Sequence, residues 1–347
     1  MSAIRLIDAG RVSHLRSQTL YHGLAHARTD DSPNTVVLAT PAEPYVCIGY
    51  HQDVEREVDV EFCQRQGLPI LRRETGGGVV YLDDQQLFVQ WIMAPLSLPP
   101  RVDQRFELFC RPLVDTYRDF GIDATLRPIN DVHAGGRKIS GTGAAQIGNA
   151  EVLTGNFLFD FDTSIMAGIV QAPSETFRAQ VAHSLQRYMT SMRRELDAIP
   201  ARDEVAHSYA RRCADALDCE LVAGELTDSE VHEIERQDER LGKANFLHQP
   251  GRMRRGGVKI HEDVWVVEAE HDLDECRVRL TARLREHRIE ELELNSAPSE
   301  LATALTGVVL QPGPVRRALN GYNTKRAASL DVTAWAEALL ELDPTAT

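Results

Sequence analysis

The chain has 347 residues, of which 43% are hydrophobic and 26% charged, and a formal net charge of -14. This composition is ordinary for a globular protein of one or two domains, and the acidic balance argues against broad, nonspecific nucleic-acid binding. The N-terminus lacks the apolar core of a signal peptide, and no run approaches the roughly 18 apolar residues of a membrane span. The six cysteines are scattered without a Cys-x-x-Cys pair. We therefore expect a cytoplasmic protein without nucleic-acid or membrane partners.

The hydrophobic periodicity predicts helices and strands in alternation through the first part of the chain. Helices are predicted over residues 15–28, Val54–Gln66, Val102–Phe120 and most of Pro173–Ala223. Strands are predicted over Thr35–Ala39, Tyr45–Gly49, Leu68–Arg72, Gln86–Ala94 and Glu151–Phe161.

A break at Pro250-Gly251 precedes a segment with a different pattern. Short strands are predicted over Gly256–Ile260, Val264–Ala269, Cys276–Leu284 and Glu290–Leu294, followed by helices over Ser299–Thr306, Val315–Leu319 and Val332–Leu342. The predicted organisation is a large α+β domain over residues 1–245 and a small α+β domain over residues 250–347, divided near 242–252.

Three consecutive glycines, Gly76–Gly78, follow a predicted strand and two arginines. A P-loop or a dinucleotide fingerprint requires a helix after its glycines, whereas the residues that follow here predict another strand. Unobstructed glycine N–H groups can bind an anion, and Arg73 has the geometry to pair with a phosphate. The alternative is a tight hairpin with solvated arginines.

Lys138 is one of only four lysines, at positions 138, 243, 259 and 325, in a chain whose other basic residues are arginines. A compact ammonium beside Gly141 can bridge a substrate carboxylate and a phosphate, and can offset the charge that develops during phosphoryl transfer. Asp131 precedes this segment and offers a carboxylate for Mg²⁺. Asn-Asp is equally a turn signal, so both interpretations of Asp131 stay open.

These segments resemble the motifs of the lipoate–protein ligase A family in its long form with a C-terminal accessory domain. Residues 72–83, Arg-Arg-Glu-Thr-Gly-Gly-Gly-Val-Val-Tyr-Leu-Asp, match its glycine motif, and Asn130-Asp131 with Lys138–Gly141 match its Asn-Asp and Lys-Ile-Ser-Gly motif. The segments 44–53, 241–246 and 255–260 are also similar. The resemblance implies a biotin/lipoate-ligase-like α+β catalytic domain with mixed sheets and helices, plus a small α+β accessory domain.

The resemblance also implies a two-step reaction with ATP and Mg²⁺. Lipoate is activated to lipoyl-AMP, and the lipoyl group then passes to a lysine of a carrier, either a dehydrogenase lipoyl domain or a glycine-cleavage-H-like protein. Lys138 is the implied catalytic residue and contacts both substrates, and Asp131 is the implied metal ligand. The implied ATP contacts are Arg73, Gly78, Val79, Val80 and Tyr81, and the implied lipoate contacts are Gly76, Gly77 and Gly141.

The sequence departs from the family pattern at three places. Leu82 stands where the family has histidine, residues 85–88 replace a Gly-Asn-Leu-Asn segment, and residues 154–157 replace a His-Gly-Thr/Ser-Leu segment. Two alternatives therefore remain. One is an octanoyl or lipoyl transferase of the same fold, which carries its acyl group on a cysteine, although no cysteine lies between Cys110 and Cys213. The other is a noncatalytic lipoyl-binding protein.

Overall fold

A computed structural model describes residues 3–251, 257–261, 263–326 and 329–344. The chain forms two compact units. The first contains the residues up to Gln171 and those from Met189 to the gap at 252–256. The second contains Ala172–Tyr188 and the described residues beyond that gap. Each unit combines sheets with helices, which confirms the predicted α+β class.

The first unit is built from three sheets and the helices that cover them. Its strands are β1 Ala3–Val12, β2 Thr35–Pro41, β3 Tyr45–Ile48, β4 Ile70–Arg72, β5 Val80–Leu82, β6 Gln86–Met93, β7 Ala124–Arg127, β8 Asp131–Ala134, β9 Arg137–Ser140, β10 Thr142–Ile147, β11 Ala150–Leu158 and β12 Glu220–Ala223. Its helices are α1 His14–Ala27, α2 Val54–Glu57, α3 Val60–Gln66, α4 Val102–Asp119, α5 Thr163–Ile169, α7 Met192–Glu195, α8 Arg202–Leu217, α9 Asp228–Leu241 and α10 Ala244–Leu247, with α6 described below.

A six-stranded sheet in the order β10-β11-β6-β2-β1-β12 is the centre of this unit. Two three-stranded sheets, β4-β3-β5 and β7-β8-β9, carry the two sequence motifs. Strand β1 was not predicted, and the predicted helical span Pro173–Ala223 is wrong at its end, where β12 pairs in parallel with β1. Strand β12 is short and lies at the edge of the sheet, and its partner β1 is more than 200 residues away in sequence. The local residue pattern therefore gives little indication of a strand.

The single helix predicted over Val54–Gln66 is also wrong, because two helices occupy this span. Val58 adopts an extended conformation after α2 and forms a β-bridge with Val170. Asp59 then caps α3 by accepting a hydrogen bond of 2.8 Å from the Phe62 N–H. Gly67 ends α3 in the left-handed region, at φ 65°, as the sequence predicts.

The central sheet has one apolar face and one mixed face. Leu87, Val89 and Trp91 alternate along β6 and pack in the main core with residues of α4 and α8, as predicted from their spacing. Gln86, Phe88 and Gln90 point to the opposite face, which also carries Thr154 and Asn156 of β11. This second face supports α1 and the β4-β3-β5 sheet, because Ile92 packs with α1 and Phe88 packs with β3.

The second unit is a four-stranded antiparallel sheet with helices. It contains β13 Val258–His261, β14 Val264–Leu273, β15 Cys276–Arg285 and β16 Arg288–Leu294, with α6 Glu175–Tyr188, α11 Ser299–Leu305, α12 Pro312–Arg326 and α13 Val332–Leu340. Helix α6 lies on this sheet through polar contacts: Gln180 Nε2 donates to Glu293 at 3.2 Å, and Tyr188 Oη donates to Glu290 at 2.6 Å. This unit therefore includes a segment that lies in sequence between the two parts of the first unit.

Within the described part of the chain, no helix has both the length and the apolar character needed to cross a bilayer.

We expect Gly23→Ala to destabilise the protein, although alanine favours helix. A Cβ at Gly23 of α1 would lie 2.4 Å from Ile234 Cγ1 and 2.6 Å from its Cα in α9. The overlap should lower the free energy of unfolding, measured by urea denaturation, by about 1–3 kcal/mol. Gly321→Ala in α12, where a Cβ meets no atom within 4 Å, is the matched control and should be neutral or stabilising. Equal losses in both variants would contradict close packing of α1 on α9.

Candidate functional site

The glycine loop connects β4 to β5 and lies against the end of β3. A Cβ at Gly49, just after β3, would be 2.2 Å from the Gly77 carbonyl oxygen, so the two backbones are in direct contact. Gly77 has φ +103°, a backbone conformation that residues other than glycine rarely adopt. The loop therefore needs glycine at Gly77 for its conformation and at Gly49 for the close approach.

Two arginines hold this loop through its backbone. The Arg73 guanidinium donates to the Gly76 and Gly78 carbonyls at 2.9 Å each and to the Cys47 carbonyl at 3.1 Å. Arg72 is fully buried and donates to carbonyls of Tyr50, Leu247 and Gln249. Arg73 thus stabilises the loop it precedes, and its predicted contact with ATP stays a prediction.

Strand β5 continues the glycine motif through Val80 and Tyr81, with Val79 just before it. The Tyr81 side chain is buried, and burial raises its pKa, with a further contribution from the nearby Asp83. The predicted ATP contacts of Gly78–Tyr81 stay predictions.

Lys138 lies on β9 and reaches Asp131 on the paired strand β8. Its Nζ is 2.7 Å from Asp131 Oδ1, and both side chains are largely buried. Burial alone would raise the pKa of Asp131, but the Lys138 charge and the His133 side chain 4.0 Å away hold it well below its usual range. A Cβ at Gly141 would lie 3.7 Å from Lys138 Cε, so the predicted lipoate-side glycine is adjacent to the lysine.

The structure brings the two sequence motifs into contact. A Cβ at Gly143 would lie 3.9 Å from the Cβ of Thr75, the residue that opens the glycine loop, and 3.4 Å from Thr154 Oγ1. The segment after Lys138 and the glycine loop therefore border one site, on the mixed face of the central sheet. Of the residues predicted for this site, Gly76–Gly78 lie on the loop side of the contact, and Lys138 and Gly141 lie on the other side.

Sequence analysis missed the group that anchors the start of the loop. The backbone N–H of Glu74 donates to His22 Nε2 at 3.1 Å, while His22 Nδ1 donates to the Gln18 carbonyl at 2.7 Å. The Glu74 carboxylate accepts a 2.5 Å hydrogen bond from Arg240 of α9 and lies 3.4 Å from His26 Nε2. These partners come from α1 and α9, and no local pattern around residue 74 identifies them.

Burial sets the charge states in this group. Burial lowers the pKa of His22 to about 4, so the imidazole is neutral at pH 7. Burial alone would raise the pKa of Glu74, but the nearby His26 and the charge of Arg240 lower it to about 2. The loop is therefore anchored by a neutral histidine and an ionised carboxylate.

Two cysteines lie close to the site, and neither is an activated thiol. Cys47 and Cys110 are both fully buried. Burial raises the pKa of Cys47 above its ordinary value, and burial together with the Asp131 charge raises that of Cys110 to about 12. A nucleophilic cysteine needs the opposite environment, because the thiolate is the reactive species.

The sequence model of the family described as "Lipoyl protein ligase A/B catalytic domain" matches residues 17–214. The lipoate-protein ligase A subunit 1 of Thermoplasma acidophilum is 27% identical over 195 residues, which cover 53% of this chain and 73% of that protein. The octanoyltransferase LipM of Anoxybacillus flavithermus is 23% identical over 258 residues, which cover 67% of this chain and 92% of that protein. The relatives therefore include both ligases and transferases.

Two solved structures share the fold. A bipartite lipoate protein ligase from Thermoplasma acidophilum, described with its E2 lipoyl domain, has a TM-score of 0.67 at 22% identity and covers 73% of this chain and 99% of its own. A lipoate-protein ligase A bound with ATP has a TM-score of 0.62 at 20% identity and covers 72% of this chain and 99% of its own. The predicted ligase-like fold is confirmed.

We expect the free energy of unfolding to fall as the pH is lowered from about 6.5 towards 4. Neutral His22 takes up a proton when the chain unfolds and its pKa returns to about 6.5, so the unfolded state binds more protons in this range. The loss should approach roughly 3 kcal/mol near pH 4. Urea unfolding at a series of pH values measures it. His22→Gln should flatten this dependence while His26→Gln keeps it, and parallel curves for both variants would contradict the assignment.

We expect Cys47 and Cys110 to resist alkylation in the native protein because both thiols are buried and protonated. Iodoacetamide at pH 8, followed by peptide mass spectrometry, should label the exposed Cys276 first. Labelling of Cys110 at a rate equal to that of Cys276 would show an accessible thiolate and favour the transferase.

Proposed function

Because the chain belongs to the lipoyl protein ligase A/B catalytic domain family, we propose that it is an ATP-dependent lipoate–protein ligase. The observation that carries the proposal is the arrangement of Lys138. Its ammonium is held by Asp131 beside Gly141, at the site that the glycine loop borders, while the nearby thiols are buried. This arrangement suits activation of a carboxylate by a nucleotide.

In the first step, a carboxylate oxygen of lipoate attacks the α-phosphorus of MgATP. A new O–P bond forms, the bond to the leaving group breaks, and lipoyl-AMP and pyrophosphate result. The Lys138 ammonium offsets the negative charge shared by the carboxylate and the α-phosphate. The N–H groups of the glycine loop bind phosphate oxygens, and Arg73 keeps the loop in shape for this.

In the second step, the ε-amine of a carrier lysine attacks the acyl carbon. An amide bond forms, AMP leaves, and the amine loses a proton. The proposed carrier is a lipoyl domain of a dehydrogenase or a glycine-cleavage-H-like protein, and the E2 lipoyl domain described with the Thermoplasma ligase supports this class of partner.

We also propose a cytoplasmic location for the protein. The accessory domain predicted at residues 250–347 has a proposed role in the second step.

Asp131 has a clear partner in this structure, since its Oδ1 binds the Lys138 ammonium. Its first role in the proposal is to orient that ammonium through the ion pair. Among the described residues, no cluster of three metal-ligating side chains occurs, so Mg²⁺ bound here would depend on phosphate oxygens of the nucleotide. Asp131 is the carboxylate that we propose as its protein ligand.

A second candidate function is octanoyl or lipoyl transfer through a cysteine thioester. The LipM relative supports it, because that octanoyltransferase is 23% identical over 67% of this chain. The raised pKa values of Cys47 and Cys110 disfavour it. Lipoate-dependent exchange of pyrophosphate with ATP separates the two functions, because only the adenylate-forming enzyme catalyses that exchange.

We expect Lys138→Ala to lower the rate of lipoate-dependent ATP–pyrophosphate exchange by about 10²–10³-fold, because a charge-stabilising group is lost. Lys138→Arg should recover little activity, since the planar guanidinium cannot replace a point charge paired with Asp131. Lys243→Ala, at an exposed lysine of the same unit, is the matched control and should exchange normally. A near-normal exchange rate in Lys138→Ala would contradict the assignment of Lys138 as the catalytic residue.

A further inference from the structure

Two amide side chains, Gln86 and Asn156, lie between the glycine motif and the lysine motif. They belong to the neighbouring strands β6 and β11, in which Gln86 pairs with Leu158 and Phe88 pairs with Asn156. The two residues are therefore diagonal neighbours on the mixed face of the sheet, a spacing that long side chains can bridge. Gln86 is buried, so its amide requires hydrogen-bond partners within the protein.

Hydrogen bonds join these amides into one continuous chain. The Gly141 N–H donates to Asn156 Oδ1 at 3.1 Å, and Asn156 Nδ2 donates to Gln86 Oε1 at 2.8 Å. Gln86 Nε2 then donates to the Tyr81 carbonyl at 3.1 Å. The backbone groups at the two ends determine the orientation of both amides, because one end is a donor and the other an acceptor.

A further contact strengthens the end near the lysine. Ser140 Oγ donates to the Asn156 carbonyl at 2.6 Å, so both residues that follow Ile139 in the lysine motif bind to Asn156. Asn156 therefore holds the segment that leaves Lys138, through its backbone and its side chain.

The two ends of this chain are parts of the proposed catalytic machinery. Tyr81 lies in the glycine motif on β5, and Gly141 closes the lysine motif after β9. As the described strands pair, β5 and β9 belong to different three-stranded sheets, so no backbone ladder joins them directly. The amides span from one motif to the other across the central sheet.

We propose that Gln86 and Asn156 are positioning residues that set the spacing between the glycine loop and Lys138; the proposal rests on the ligase function above. Adenylate formation requires the phosphate held by the loop and the carboxylate held at Lys138 to meet in line. A displacement of about 1 Å in such a geometry costs up to about 10²-fold in rate. A chain of three hydrogen bonds between the two motifs resists that displacement.

Gln86 and Asn156 lie in the segments 85–88 and 154–157, the two strand segments at which the chain departs from the motifs it otherwise resembles. In the structure these two residues contact each other.

The test is a double-mutant cycle with Gln86→Met, Asn156→Leu and the double variant. Each single variant should lower kcat of lipoate-dependent pyrophosphate exchange by about 10–100-fold, with KM for ATP and lipoate within about twofold of the wild type. The double variant should be no slower than the slower single variant, because either change already breaks the chain. Asn156→Asp is isosteric, keeps the acceptor for Gly141 and loses the donor to Gln86, so it should show the same loss of kcat if Asn156→Leu does not fold.

Gln90→Met is the matched control. Gln90 is a buried amide on the same strand and the same face, and its Nε2 donates to the Ser17 carbonyl of α1 at 3.0 Å. This variant should lose about 1 kcal/mol of unfolding free energy and keep kcat. Equal kcat loss in Gln90→Met, unchanged kcat in the single variants, or multiplicative losses in the double variant would overturn the positioning role. A wild-type protein without exchange would instead overturn the ligase function on which the role rests.

Discussion

The rest of the site depends on one largely buried ion pair, between Lys138 and Asp131. The Asp131 carboxylate stays ionised in its buried position because of the lysine. The lysine backbone is held as well, since the Thr190 N–H donates to its carbonyl at 2.9 Å and Met189 forms a β-bridge with it. Glycine at position 141 leaves the space beside the side chain open. The position of the charge is therefore determined by contacts from three separate segments.

The central sheet makes this arrangement compatible with a stable core. Its apolar face carries the main hydrophobic cluster against α4 and α8, which supplies the burial that stabilises the unit. Its opposite face carries buried amides and hydroxyl groups, which would be costly without partners. Gln86 and Asn156 bind backbone groups of the two motifs, and Gln90 Nε2 donates to a backbone carbonyl of α1. Because side chains alternate along each strand, the residues of the core lie on one face of the sheet and the polar residues near the site lie on the other.

Much of the fold follows from local pattern. The strands and helices with strong periodicity, such as β6 and α4, lie where the sequence predicts them. Two of the failures concern segments whose structure depends on distant residues. Strand β12 exists through its pairing with β1, and the Val54–Gln66 helix is interrupted where Val58 pairs with Val170. Helix α6 was predicted within a helical span, but its packing partners lie in β14–β16, far along the chain.

The sequence by itself determined the class of fold and the local conformation of the glycine motif, and it predicted which residues form the site. The strand–glycine–strand order excluded two common nucleotide folds, and the scarcity of lysine drew attention to Lys138. Both arguments need only backbone rules and composition, so they could be made without the tertiary structure. Tertiary structure decided the partners. Arg73 binds the loop carbonyls, Asp131 binds Lys138, and the start of the loop is anchored by His22 and Arg240. Hydrogen bonds and ion pairs act over about 3 Å, so their partners are known only once strands and helices distant in sequence have been packed together.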